Sequence, residues 1–100
     1  MAHPIEWSLE AIEDLDSIAE YIARDSAFYA QSVVSKILSV ARGISDQNLI
    51  GRIVHEMNDR LIRERFVYSY RLIYKINENS VMIVAIIHGK RLLEQVPERF

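Results

Sequence analysis

The stretch that decides the fold runs from residue 70 to residue 87 and reads YRLIYKI (70–76), NENS (77–80) and VMIVAII (81–87). Aromatic and β-branched residues alternate with charges in the first run, which is typical of a strand. The middle run has the composition of a hairpin turn. The last run is unbroken apolar and too short and β-branched for a helix. It therefore predicts a strand that is covered on both faces, inside a sheet.

Upstream of this hairpin the apolar residues follow a helical period. One stripe begins after Ser8, a residue type that caps helix N-termini, and a second begins after Ser26. The stripes consist of Ala11, Leu15, Ile18 and Ile22, and of Ala30, Val33, Val34, Ile37, Leu38 and Ala41. Gly43 is placed to end the second helix. We predict an antiparallel helical hairpin, with Val34, Ile37, Leu38 and Ile83 in the core.

Short strands are predicted at Ile5–Trp7 and at Ile53–Val54. The predicted order is one strand, two helices and three strands, in a single domain spanning residues 1–100. This order predicts an α+β fold in which an N-terminal helical hairpin packs on one face of a small antiparallel β-sheet.

Composition excludes several classes of protein. The 100 residues include no Cys, so there is no disulfide framework, thiolate metal site or cysteine nucleophile. No apolar run reaches the ~18 residues of a membrane helix. The first twenty residues carry several carboxylates and only His3 as a possible cation, unlike a signal peptide, so we expect a cytoplasmic protein. Three dispersed His and the lack of a Gly-rich phosphate loop predict neither a metal nor another cofactor.

Charge is distributed unevenly along the chain. Residues 1–50 hold three basic and eight acidic residues, a net −5, and residues 51–100 hold nine basic and six acidic residues, a net +3. A basic half favours an anionic partner, either a nucleic acid or an acidic protein segment. A charge-mixed, solvated surface explains the same distribution equally well.

Three places in the predicted sheet are candidates for chemistry. Arg71 is a charge within an apolar strand, so it either binds phosphate or carboxylate or extends to solvent from the open face of the sheet. His88 and Arg91 follow the last strand and suit proton transfer and anion binding, or are ordinary polar end residues. Glu64 is either a general base or a salt-bridged strand residue. Adjacent strand ends are expected to bring Arg71, His88 and Arg91 into one groove.

With these residues in order, the whole chain resembles the ParE/RelE superfamily of bacterial type II toxin–antitoxin toxins. The segments that carry the resemblance are Ile5–Ser8, Ala11–Ile22, Gly51–Val54, Ile62–Glu64, Tyr70–Tyr74 and His88–Arg91. The resemblance implies a helical hairpin over a small antiparallel sheet. It also implies a growth-inhibiting toxin, of the kind that stabilises plasmids, which a cognate antitoxin neutralises.

The two branches of the superfamily differ in target. RelE-like toxins cut mRNA in the ribosomal A site without a metal, and that pattern places phosphate-binding arginines on Arg71 and Arg91, with His88 and Glu64 left for proton transfer. ParE-like toxins poison DNA gyrase. The RelE lysines are missing from Ile62–Arg65, and Pro97 stands where RelE has a tyrosine. We therefore favour a ParE-like gyrase inhibitor. The alternatives are a RelE-like endoribonuclease and a degenerate toxin that only binds antitoxin.

Overall fold

The computed structural model describes residues 3–89 and 96–100. Within them lie two α-helices and five β-strands, with two short 3₁₀ turns, His55–Met57 and Pro97–Arg99. The helices and strands are β1 (Ile5–Trp7), α1 (Leu9–Ala23), α2 (Ala27–Ile44), β2 (Arg52–Ile53), β3 (Ile62–Val67), β4 (Tyr70–Ile76) and β5 (Val81–His88). Neither helix has the length and apolar composition that crossing a membrane requires.

Both helices begin at the predicted serines. The Ser8 hydroxyl accepts a hydrogen bond from the Ala11 amide at 3.1 Å, and Ser26 accepts one from the Tyr29 amide at 3.0 Å. These contacts satisfy amide groups that have no partner inside the helix. The predicted end of α2 is wrong by a short distance. The helix continues through Gly43 to Ile44 and ends at Ser45 in the right-handed region, so Gly43 does not serve as a left-handed cap.

The sheet has the strand order β1-β5-β4-β3-β2. The α+β class and the helical hairpin are confirmed, but the prediction of a wholly antiparallel sheet is wrong because β1 runs parallel to β5. The helical hairpin and the following strands form the long connection that parallel neighbours need. The predicted count of three strands after the helices is one too low. Glu64 was considered as a strand residue, and Ile62–Val67 is a separate strand that pairs with both β2 and β4.

The hydrophobic core has two parts, one on each face of the sheet. The larger part lies between the sheet and the helices and includes Ile37 and Ile83, which are fully buried as predicted. Val34 and Leu38 are only half-buried, and Val33 is buried in their place. The smaller part lies on the opposite face and consists of Val54, Ile62, Ile73, Ala85, Ile87 and Val96. The predicted open face is therefore partly covered, and β5 is buried on both faces as its sequence predicted.

Candidate functional site

Arg71 lies on the sheet face that points away from the helices. In the β3–β4 register it stands opposite Phe66, and Glu64 is two residues further along β3 on the same face. The Arg71 Nε donates a hydrogen bond to Glu64 Oε1 at 2.5 Å. Both side chains are almost fully buried, with 8% and 2% of their surface exposed. Burial of two opposite charges requires this pairing, because an isolated buried ion is very costly.

The second carboxylate oxygen of Glu64 is also occupied. Arg52 on β2 stands directly opposite Glu64, and its Nε donates to Glu64 Oε2 at 2.7 Å. The guanidinium of Arg52 lies 4.9 Å from the centre of the Phe66 ring, within cation–π range. Glu64 is therefore held between two arginines, one buried and one 67% exposed.

The outer end of the Arg71 guanidinium binds a second carboxylate. Nη1 donates to Glu56 Oε2 and Nη2 to Glu56 Oε1, both at 3.2 Å, in the parallel fork that arginine makes with carboxylates. Glu56 belongs to the 3₁₀ turn and its side chain is 48% exposed. The hydrogen bonds from Arg71 hold the pKa of Glu56 below its usual range. Glu56 is thus ionised at neutral pH.

These charges line a cleft of about 260 Å³. Its walls are Arg52, Ile53, His55, Glu56, Glu64, Phe66, Arg71 and Gly89. Two arginines and two glutamates balance in formal charge. We call these four residues the charge network. In this structure Arg71 binds two carboxylates of its own chain, those of Glu64 and Glu56, through Nε, Nη1 and Nη2.

A tight backbone contact fixes the strand that carries Arg52. The Gly51 amide donates to the Tyr74 hydroxyl at 2.9 Å, and that hydroxyl donates to the Asn48 carbonyl at 2.8 Å. A β-carbon at Gly51 would lie 2.5 Å from the Tyr74 hydroxyl and 2.7 Å from the Glu64 carbonyl oxygen. Only glycine allows this approach.

The predicted site residues are only partly brought together. Arg71 and Glu64 are in direct contact, but His88 stands opposite Tyr70, on the face that packs against the helices. The two rings meet edge to face with centroids 5.7 Å apart. The prediction that Arg71 and His88 share a groove is therefore wrong. His88 lies on the face of Tyr70, and Arg71, the next residue on β4, points to the opposite face. Arg91 lies outside the described residues. Catalytic roles for these residues stay predictions.

Arg52 was not predicted as a site residue, and Glu56 was considered only as an acid–base partner of His55 or as an ordinary salt-bridged residue. Arg52 and Glu56 lie 12 and 8 positions before Glu64, with Ile53, Val54 and His55 between them, so no local spacing connects them to Glu64. The only available signal was that Arg71 and Glu64, if buried, require partners of opposite charge. Among residues 3–89 and 96–100 no cluster of His, Asp and Glu is arranged to hold a metal ion.

A second cleft, of about 450 Å³, lies on the other side of the sheet between α1 and β5. Its lining is mixed apolar and polar and comprises Asp14, Ser17, Ile18, Tyr21, Tyr70, Ile86, Ile87 and His88. Burial raises the pKa of Tyr70, with smaller effects of Tyr21 and Tyr29, so its hydroxyl remains neutral. We call this the hairpin cleft.

Comparison with known protein families identifies a family that this chain matches. The sequence profile described as the ParE toxin of the type II toxin–antitoxin system, parDE, matches residues 5–93. No curated protein sequence matches the chain significantly.

Several solved structures are similar in fold. The chromosomal ParDE system of P. aeruginosa matches with a TM-score of 0.74 at 15% identity, over 89% of this chain and 98% of that one. A mutant of the E. coli toxin RelE in the free state matches with a TM-score of 0.68 at 14% identity, over 99% and 94%. The YoeB–YefM complex of Staphylococcus aureus matches with a TM-score of 0.56 at 18% identity, over 88% and 98%.

Proposed function

Because the chain belongs to the ParE toxin family of type II toxin–antitoxin systems, we propose that it inhibits DNA gyrase in the cytoplasm and that a cognate antitoxin neutralises it. The toxin acts by binding to its target. It has no nuclease activity.

The observation that carries this choice is the state of Arg71. A metal-free RNA-cutting site needs a positive group directed at the phosphate and a base directed at the 2′-hydroxyl. Here Nε, Nη1 and Nη2 of Arg71 all donate to carboxylates of the same chain. Both oxygens of Glu64 accept from arginines, so this carboxylate must break ion pairs before it accepts a proton. The charge network supports a structural role for both residues.

A gyrase assay with a paired variant tests the proposal. Changing Arg71→Gln and Glu64→Gln together removes both charges of the buried pair and leaves no isolated buried ion, because their other partners, Arg52 and Glu56, are exposed to solvent. We expect this variant to inhibit supercoiling and to accumulate cleaved DNA complexes within about threefold of the wild type, a difference below about 1 kcal/mol. Glu78→Gln, in the exposed turn after β4, is the control for loss of a carboxylate.

The same proteins are then added to ribosomes programmed with mRNA. Codon-phased cuts that disappear in the paired variant would contradict the proposal and favour the RelE-like endoribonuclease. Failure to affect either target, with the antitoxin complex intact, would favour the degenerate toxin.

For the antitoxin we propose the hairpin cleft as the docking site. Its floor includes the apolar side chains of Ile18 and Ile86, and the exposed Tyr21 ring stands at its edge. An amphipathic segment of a partner fits such a groove between a helix and a strand edge. Of the structures similar in fold, one is a ParDE toxin–antitoxin system and another is a complex of YoeB with YefM, which supports a protein partner of this kind.

Two serine substitutions test this location. Ser17→Arg places a long cationic side chain in the hairpin cleft, and Ser35→Arg places the same side chain on an exposed part of α2 outside it. With the small protein encoded beside this one, we expect Ser17→Arg to weaken binding by about tenfold or more, and Ser35→Arg to leave it nearly unchanged. Equal affinities for both variants would contradict the proposed location.

A further inference from the structure

The two carboxylates bound to Arg71 are held in different ways. Glu64 is buried, lies on a central part of the sheet and is bonded by two arginines. Glu56 is half-exposed, lies on a three-residue turn and, among side chains, is bonded through the outer fork of Arg71 at 3.2 Å, with a further hydrogen bond from its own backbone. Glu64 is therefore a fixed counter-ion, whereas Glu56 occupies the mouth of the cleft, where a ligand from solution would enter.

Residues on both sides of Glu56 anchor its turn to the smaller part of the core. Val54 before it is fully buried, and Met57 after it packs on the smaller core. Movement of the Glu56 side chain into solvent therefore leaves the turn in place. What remains is the open fork of Arg71 at the end of a cleft with Phe66 and Ile53, both about half-exposed, on its rim.

Charge decides which anion this opened site suits. With Glu56 withdrawn, Arg52 and Arg71 contribute +2 and Glu64 contributes −1, a net +1. A carboxylate balances this charge. A phosphate dianion exceeds it and is also repelled by Glu64, which lies directly behind the guanidinium. The fork geometry already seen with Glu56 is that of a carboxylate.

We propose that this cleft is a receptor for a carboxylate of a partner protein, and that Glu56 occupies the place of that ligand in the free chain. The partner's carboxylate displaces Glu56 from the Arg71 fork, and an apolar neighbour of that carboxylate rests on Phe66 and Ile53. Glu56 thereby lowers the affinity of the free protein for carboxylates in general. Because inhibition of gyrase is expected to persist without Arg71, the partner that supplies this carboxylate is a protein other than gyrase.

Nuclear magnetic resonance of the ¹⁵N-labelled full chain tests the proposal with acetate as the probe. The Arg71 Nε–H group bonded to Glu64 is the reporter, identified by its absence from Arg71→Lys. Glu56→Ala and the wild type are titrated with sodium acetate at constant ionic strength, with Glu78→Ala as the matched control and the amide spectrum as the check on folding. We expect Glu56→Ala to bind acetate at least about tenfold more tightly than the wild type and Glu78→Ala.

Titrations with inorganic phosphate and with two larger carboxylates complete the experiment. We expect phosphate to bind no more tightly than acetate. Preference for N-acetylglutamate amide assigns the site to an acidic side chain, and preference for N-acetylalanine assigns it to a chain terminus. Equal acetate affinities in Glu56→Ala and the wild type would overturn the proposal, as would phosphate binding about tenfold tighter than acetate.

Discussion

At the scale of single residues, the charge network and Gly51 determine how β2, β3 and β4 fit together. Arg71 and Glu64 are charges in positions where apolar residues would pack, and their burial is tolerated because each has a partner of opposite charge. Gly51 lies at the same corner, where its amide approaches Tyr74 more closely than any residue with a β-carbon permits.

The glycines at 43 and 51 give a matched pair of predictions. Gly51→Ala forces a methyl group onto the Glu64 backbone and should lower the free energy of unfolding by about 1–3 kcal/mol. Gly43→Ala lies in α2 with open space around the added carbon and should raise it by about 0.5–1 kcal/mol. Urea denaturation measures both, and an unchanged or raised free energy of unfolding in Gly51→Ala would contradict the close approach at Gly51.

At the scale of elements, α2 contributes the largest continuous apolar stripe to the helix side of the core. Its buried positions are Ala30, Val33, Ile37, Ala41 and Ile44. The spacing of three and four residues places them on one face. Val34 and Leu38 lie beside this face, so each contributes only part of its surface.

Ile37 tests the packing of this element. Truncation of Ile37 to Ala removes a side chain with no exposed surface and should lower the free energy of unfolding by ~2–5 kcal/mol. Leu38→Ala removes a side chain that is only half-buried, so it should lower the free energy of unfolding by less. A loss under ~0.5 kcal/mol for Ile37→Ala would mean that the stripe is not a core face.

At the scale of the whole molecule, the two ends of the described chain meet at the outer edge of β5. β1 covers Val81–Ile83, and side chains cover the edge beyond it. Asp14 accepts from the Ile86 amide at 3.0 Å, and Arg99 donates to the Val84 carbonyl at 3.1 Å. Arg99 also donates to Asp14 at 2.7 Å. Within residues 3–89 and 96–100, these side chains make hydrogen bonds to this part of the β5 edge, a common protection for the edge of a sheet.

A double-mutant cycle on Asp14 and Arg99 tests this closure. Their half-buried pair should give a coupling energy of about 1 kcal/mol, between the values of exposed and buried contacts. Each single variant should also lose one hydrogen bond to the β5 backbone, which Asp14 accepts from the Ile86 amide and Arg99 donates to the Val84 carbonyl. Strictly additive effects on the free energy of unfolding would show that the two ends are not coupled through this pair.

The sequence by itself determined the local structure: the two capped helices, the alternation in β4, the turn after it and the burial of β5. Each depends on residues within one or two turns or along one strand, so periodicity and capping chemistry specify it. The resemblance to a toxin superfamily also followed from the order of short segments, and the family match agrees with it.

Only the tertiary structure decided the direction of β1, the extra strand β3, and the partners of Arg71. Alternation along β4 places Arg71 and Tyr70 on opposite faces of the sheet, but it does not say which residue of β5 stands opposite each of them. His88 was expected beside Arg71, whereas it stands opposite Tyr70 on the other face. Glu56 and Arg52 reach the site through the pairing of β2 with β3 and a turn. Such placement depends on contacts between residues distant in sequence, and a local pattern carries no information about them.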